Sequence, residues 1–278
     1  MTGTTSPRRT LVVSDLDRTL IYSPSALQLA GPDEDAPTLV CVEVVDGRPH
    51  SFLTLAAAES LGRIHRAAVF VPTTTRTVAQ YRRVHFPGIR PRWAVTSNGG
   101  HLLEDGRVDP AWNRHVRQAI AGDGTDLAEV IAELKLRADG DWVLKRRVGD
   151  ELFCYLVVDV EALPPGFVPE WRQWCTERNW SVSMQGRKIY AIPRSLSKES
   201  AVREVARRAG TDRTVAAGDG ALDAGVLVAA DRSIRPPHGE LDATGWAHPG
   251  VEVSGRAGVL AADDITAWFE DQLRPSSP

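Results

Sequence analysis

Three short apolar runs constrain this chain more than anything else in it. "LVVS" (11–14), "AVFVP" (68–72) and "RWAVT" (92–96) are strand-length and dominated by apolar residues. Runs of that kind are strands covered on both faces, as in parallel sheets. The first passes directly into "DLDRTL" (15–20), which sets two aspartates one residue apart, an unusual place for two like charges. Between the first and second runs, extended segments in Leu39–Thr54 flank Asp46-Gly47, a two-residue hairpin signal. "LAAAESLGRIHRA" (55–67) reads as a helix and "TVAQYRRV" (77–84) as another, and the third run ends in Asn98-Gly99-Gly100. Strand, helix, strand, helix, strand predicts an α/β fold on a parallel sheet.

The pattern changes after about residue 107. Ala111–Ala121 and Asp126–Ala138 look helical, and "WVLKRRV" and "LFCYLVVDV" read as paired strands with Gly149-Asp150 near their turn. "VPEWRQWCTERN" is a helix, and "WSVSMQ" and "KIYAIP" pair around Gly186-Arg187. Helix, two strands, helix, two strands is an α+β module with an antiparallel sheet. At "SKESAVREVARRAG" the first style resumes, with Ser197 as helix cap and Gly210 as stop. "TVAAGDG" is a short strand running into a glycine-flanked acid, and a last helix covers about Ala257–Gln272. The predicted organisation is a doubly wound parallel-sheet core of residues 1–107 and 193–278, with a hairpin flap at about 38–55 and an α+β module inserted at 108–192. A chain of 278 residues is long enough for both.

Composition excludes several function classes. The net charge of −3 gives no basic surplus for nucleic acid and no acidic excess for disorder. Cys41, Cys154 and Cys175 are far apart and form no Cys-x-x-Cys, so they read as small core residues in a reducing compartment. The N-terminus has no apolar stretch of signal-peptide or membrane length behind it, which predicts a cytoplasmic protein without membrane association. A monomer and a homodimer are both compatible with the sequence, the hairpin being either a lid or a pairing edge.

In open parallel sheets, sites form beyond the carboxyl ends of the strands. The residues following the strands are Asp15 and Asp17, then Thr73, Thr74, Thr75 and Arg76, then Asn98, then Asp219 and Asp223. Lys198, one of only four lysines, opens a helix leading back to the same edge. Four carboxylates on one edge raise one another's pKa unless a counter-charge is present. A hard divalent cation supplies it. Mg²⁺ takes oxygen ligands and is usually held by one or two carboxylates plus a substrate phosphate. The histidines are scattered and no His/Cys cluster suggests zinc.

"DLDRTL" resembles the first motif of the haloacid-dehalogenase-like phosphohydrolases, Asp-x-Asp-x-Thr after a strand. "VPTTTR" is similar to the second motif, Lys198 to the third, and "AAGDGALDAGVL" to the fourth, Gly-Asp-x-x-x-Asp. All four occur in order over the whole core, and the insertion sits where the type-two cap group, which includes Cof-like and sucrose-phosphatase-like enzymes, carries its cap. The resemblance implies a Mg²⁺-dependent phosphatase of a small phosphorylated metabolite, a sugar phosphate by analogy. It implies Asp15 as nucleophile, forming an aspartyl-phosphate. Asp17 would be acid for the leaving alkoxide and then base for water. Asp15, the Asp17 carbonyl and Asp219 would hold the metal, with Asp223 orienting a water or ligating directly. Thr74, or Thr73 in its place, and Lys198 would hold phosphate oxygens, with backbone N–H groups after Asp15, beginning at Leu16, as further donors. Thr75 is also placed among the phosphate-binding residues, although it stands where relatives often have Gly. Arg76 and Asn98 match positions near phosphate or substrate in relatives, against the simpler reading of turn chemistry.

The resemblance leaves two rivals. A phosphomutase or phosphotransferase shares every core residue. A regulatory protein of the branch associated with tellurium-resistance-type gene clusters is also similar, in the hairpin and the "VPTTTR" string. In the cap, Lys188 is the basic residue best placed to meet an anionic substrate, whereas Trp171, Trp174 and Trp180 fit its core. Arg18 reads as solvated or as reaching the cap, Thr19 as steadying its loop, and His238 as structural. Asp223 is also a possible cap of the next helix.

Overall fold

The computed structural model describes residues 9–274. Residues 1–8, on which the reading of the N-terminus partly rests, lie outside the described residues. In chain order the elements are β1 (Thr10–Ser14), the hairpin β2 (Leu39–Val45) and β3 (Arg48–Thr54), α1 (Leu55–Ala67), β4 (Val69–Pro72), α2 (Val78–Tyr81), β5 (Trp93–Thr96), β6 (His101–Glu104) and β7 (Arg107–Val108). Then come α3 (Pro110–Ala121), α4 (Leu127–Arg137), β8 (Val143–Gly149), β9 (Phe153–Val158), α5 (Phe167–Thr176), β10 (Trp180–Gln185) and β11 (Lys188–Pro193). The chain closes with α6 (Lys198–Ala209), β12 (Arg213–Ala217), α7 (Ala224–Ala229), β13 (Arg232–Arg235), α8 (Glu240–Ala243), β14 (Val251–Val253) and α9 (Leu260–Leu273).

The central sheet is parallel, in the order β14-β13-β12-β1-β4. β1 lies inside the sheet, between β12 and β4, and is buried on both faces, as its continuous apolar sequence requires. Strand alternation sends Val12 to one face, where Leu61, Ile64, Ile265 and Phe269 of α1 and α9 cover it. Leu11 and Val13 point to the other, under Val202 and Val205 of α6 and Leu227 of α7. Three layers result, with the carboxyl ends of β1, β4 and β12 side by side. The Asp46-Gly47 turn has φ of 51° and 73°, so both residues are left-handed, which suits a two-residue hairpin.

The inserted segment forms a second, antiparallel sheet, β10-β11-β9-β8. Cys154, Leu156, Val158, Ile189 and Ala191 face α4 and α5, which close over them with Val130, Leu134 and Trp171. The opposite alternation, Phe153, Tyr155, Tyr190 and Ile192, packs towards the parallel-sheet layer. Trp171 and Trp180 are fully buried, and Trp174 stacks on Trp171 at 5.1 Å between ring centroids.

Four expectations change. The helix read at 77–84 is one turn, Val78–Tyr81, because Val84 bridges Glu43 and the His85 N–H donates to the Val42 carbonyl, pulling the chain onto the hairpin. β5 touches the parallel sheet through one bridge, Thr73 to Val95, and otherwise pairs antiparallel with β6. Cys41 is exposed, not a core residue, while Cys154 and Cys175 are buried; all three are free thiols. Asp223 does not cap α7 with its side chain. Among the described residues no helix is long and apolar enough to cross a membrane.

Candidate active site

The parallel strands deliver three carboxylates to one point. Asp15 follows β1, Asp219 follows β12, and Asp223 lies one short turn further on; carboxylate oxygens of the three lie within 4.8 Å of one another. All three are buried. Lys198, at the first position of α6, reaches into this group from below and donates to Asp15 Oδ1 and Asp223 Oδ1, each at 2.6 Å. Its side chain is 1% exposed. One lysine faces three acids, so the cluster is short of counter-charge. Burial pushes the Asp15 carboxyl up to about 7 against the pull of Lys198. Burial also drives Asp219 well above the usual carboxylate range, and Asp15 and Asp223 add to the effect. Burial works against the Lys198 ammonium, but Asp15 and Asp223 outweigh it and hold its pKa above the ordinary lysine value.

Local packing makes these positions specific. Asn98, at φ 56°, sends its amide Nδ2 to the Leu196 carbonyl at 2.8 Å, and Gly99, at φ +100°, packs so closely that a Cβ would collide with the Ser197 carbonyl. The loop after β5 therefore seats the start of α6 and with it Lys198. A Cβ on Gly239 would collide with Asp219, and one on Gly218 would sit against Asp223. Asp223 Oδ2 accepts the Gly220 N–H at 2.9 Å, which leaves Oδ1 aimed at Lys198.

The residues present fit a divalent cation. Asp219 Oδ2 is buried with no hydrogen-bond partner, its nearest cation being Arg18 Nε at 3.7 Å. The donor set is all oxygen, which suits a hard ion. Asp17 contributes no carboxylate to the cluster; its backbone carbonyl accepts no hydrogen bond among the described residues and stays available.

Asp17 turns instead towards Arg76, which grips it through Nε–Oδ2 and Nη2–Oδ1, both 2.8 Å. Burial would raise the Asp17 pKa, but this two-pronged ion pair holds it well below the usual range. Arg76 also donates from Nη1 to Glu43 Oε2 at 2.7 Å, and Glu43 accepts from Ser51 Oγ at 2.7 Å and Arg83 Nε at 3.0 Å. Glu43 and Ser51 lie on the hairpin, so β2 and β3 are tied through Arg76 to Asp17. This network escaped the sequence reading. Its one signal was a charge in the otherwise apolar "LVCVEVV".

The two threonines differ in their bonding. Thr73 Oγ1 donates to its own strand, to the Val71 carbonyl at 3.3 Å, whereas Thr74 Oγ1 accepts the Arg76 N–H at 3.1 Å and keeps its own proton free. The backbone N–H groups of Leu16, Asp17 and Thr75 donate to nothing among the described residues. Thr19 is buried, but its Oγ1 has no partner; its N–H, donating to the Leu16 carbonyl at 3.2 Å, is what ties the loop. His238 donates from Nε2 to the Arg18 carbonyl at 2.8 Å, a tautomer set by the Gly258 N–H, which donates to Nδ1 at 3.2 Å. It braces Arg18, which sits at φ 65°.

Asp17 forms the floor of a cavity of about 780 Å³ between the two sheets. Arg76 lines it from the core and Lys188 and Tyr190 from the second sheet. The neighbouring Tyr190 phenol and Asp17 hold the Lys188 pKa above its ordinary value against burial.

No family model and no curated protein matches the sequence. Solved structures do match the fold. The sucrose-phosphatase from Synechocystis sp. PCC6803, solved with sucrose and phosphate, superimposes with a TM-score of 0.65 at 16% identity, over 95% of this chain and 98% of that one. A subclass IIB sugar phosphatase of the haloacid-dehalogenase superfamily gives 0.57 at 12% identity, covering 95% and 98%. A trehalose-6-phosphate phosphatase related protein gives 0.55 at 14% identity, covering 94% and 97%. The chain has the haloacid-dehalogenase fold, with an inserted α+β cap domain.

Proposed function

We propose that this protein is a Mg²⁺-dependent phosphomonoesterase of a small phosphorylated metabolite, a sugar phosphate in class, with residues 108–192 as its cap and the cytoplasm as its compartment. The observation that carries the reading is the buried Asp15–Asp219–Asp223 cluster held by Lys198 at the carboxyl ends of the neighbouring strands β1 and β12. The sugar-phosphate class is supported by the names of the structural neighbours and by a cavity of metabolite size.

In this reading Asp15, Asp219, Asp223 and the Asp17 carbonyl would hold the metal, which supplies charge neutralisation at the phosphoryl oxygens. Lys198 and the Thr74 hydroxyl hold phosphate oxygens, with the free N–H groups of Leu16, Asp17 and Thr75 as further donors. The free proton on Thr74 favours it over Thr73. The Asp15 carboxylate attacks phosphorus, the P–O bond to the leaving group breaks, and the alkoxide takes a proton from Asp17. Asp17 then takes a proton from water, which attacks the aspartyl-phosphate and regenerates Asp15. In the present conformation Asp17 is an unprotonated carboxylate bound to Arg76. To act as an acid it must leave Arg76, whose charge Glu43 still compensates. Asn98 serves as a structural clamp for α6.

Purified protein assayed for phosphate release with Mg²⁺ on sugar phosphates, nucleotides and p-nitrophenyl phosphate tests this. Metal-dependent release without any acceptor sugar, lost in Asp15→Asn, is the expected result. Release that needs an acceptor would instead make the protein a phosphotransferase, and undiminished turnover by folded Asp15→Asn would remove Asp15 from the chemistry.

A further inference from the structure

The cavity above Asp17 carries more positive charge than the chemistry at Asp15 uses. Arg18, Arg187 and Lys188 line it together with Arg76, and Asp17 is the only carboxylate in its wall. Asp17 is already matched by two bonds from Arg76, and Arg76 is shared with Glu43. No ion pair is formed by Arg187 or Lys188 among the described residues, and the nearest carboxylate to Arg18 is 3.7 Å away. Arg18 Nε is buried without a hydrogen-bond partner. Its Nη1 lies under the β10–β11 turn, 3.4 Å from where a Cβ on Gly186 would stand. Arg18 from the core and Arg187 and Lys188 from the cap therefore converge from opposite walls. Lys188 is partly buried with no ion pair among the described residues, and Arg18 is partly buried with its nearest carboxylate at 3.7 Å, so an anionic ligand would offset their desolvation cost, while Arg187 adds charge from an exposed turn.

Position assigns the ligand. Neither Asp15, Asp219 nor Asp223 lines this cavity, whereas Asp17 does. Asp17 is the residue that, in the proposed reaction, faces the leaving group. The surplus cations thus surround the part of the substrate that departs, not the phosphoryl group that is transferred.

We propose that the leaving group carries an anionic group of its own, a carboxylate or a second phosphate, received by Arg18, Arg187 and Lys188. This rests on the phosphomonoesterase reading and narrows its substrate class. Guanidinium groups grip either anion with paired N–H donors. A substrate held between Arg18 on the core and Arg187 on the cap also ties the two together over the reaction.

Matched substrate pairs test it. For a carboxylate, 3-phosphoglycerate is compared with glycerol 3-phosphate and 6-phosphogluconate with glucose 6-phosphate; for a second phosphate, fructose 1,6-bisphosphate is compared with fructose 6-phosphate. The doubly anionic member of one arm is expected to have a kcat/KM about tenfold higher or more, the size of one or two charge-assisted hydrogen bonds. The arm that responds identifies the anion. Arg187 lies in an exposed turn, so Arg187→Glu folds; it should lower that ratio about tenfold, and Arg187→Lys should restore most of it. Ratios near one in both arms, or a ratio unmoved by Arg187→Glu, overturn the inference and leave the phosphomonoesterase reading intact. Absence of metal-dependent release from every substrate overturns that reading and this one with it.

Discussion

At the scale of single residues, the site is a problem in charge. Asp15, Asp219 and Asp223 share one lysine in a buried space, and Asp219 Oδ2 has no partner at all. The protein without metal should therefore be strained by like charges, and removing one should help it. Asp219→Asn is expected to be more stable than the unsubstituted protein in EDTA and to gain nothing from Mg²⁺. The unsubstituted protein should gain about 2.7 kcal/mol at a Mg²⁺ concentration a hundredfold above Kd. Thermal unfolding of both proteins with EDTA and with Mg²⁺ checks this crossing of stabilities; a Mg²⁺ shift retained by Asp219→Asn would remove Asp219 from the metal site. The residues that meet at this point were legible in the sequence because each follows a strand or opens a helix. Glu43 was not, since its partners Ser51, Arg76 and Arg83 come together only when the hairpin folds over the strand ends.

At the scale of elements, two connections decide the geometry. The first is the contact of Gly99 with the cap of α6. Gly99→Ala places a Cβ against the Ser197 carbonyl and holds a left-handed backbone that alanine resists. The expected cost is roughly 3 kcal/mol, with a fall in activity as Lys198 shifts, measured by chemical denaturation and by turnover of the same preparation. The second is the tie from hairpin to Asp17. Burial would raise the Glu43 pKa, but Arg76 and Ser51 hold it below its usual 4.5. A carboxylate with a lowered folded-state pKa adds stability that is full above 4.5 and disappears as pH falls through the folded value. The stability gap between the protein and Glu43→Gln should thus be about 2 kcal/mol at neutral pH and close in acid. A gap that is constant with pH would mean that Glu43 is bound by shape, not charge. Most elements were readable from periodicity and turn residues: the hairpin, α1, the cap strands and α6 stand where their patterns put them. β6, β7, β13 and β14 were not, because each is four residues or fewer and their pairing partners, not their own sequences, make them strands.

At the scale of the whole molecule, two carboxylates seat the cap on the core. Glu240 of α8 accepts from Ser183 Oγ at 2.5 Å and the Met184 N–H at 2.9 Å in β10, and from the Ala221 N–H at 3.0 Å beside Asp219 and Asp223. Asp150, in the β8–β9 turn, accepts from the Val78 N–H at 3.0 Å and from Ser97 Oγ. The first seat connects cap position directly to the loop that carries two of the clustered acids. Glu240→Ala is expected to lower kcat/KM by about tenfold and to speed proteolysis between cap and core, while the cap's own hydrophobic core keeps it folded. Unchanged kinetics with unchanged protease resistance would show that the cap is held elsewhere. None of this was legible beforehand. An insertion can be recognised from its change of pattern, but the face it lays on the core, and the cavity left between them, depend on contacts between residues far apart in the chain.

In the proposed reaction Asp15 becomes covalently phosphorylated. Protein acid-quenched during turnover with Mg²⁺ and substrate, then treated with borohydride, converts an acyl phosphate into homoserine at the residue that carried it. Homoserine is expected at position 15 and nowhere else. Homoserine at position 17, or an unmodified Asp15 in protein that has released a full equivalent of product in its first turnover, would contradict it.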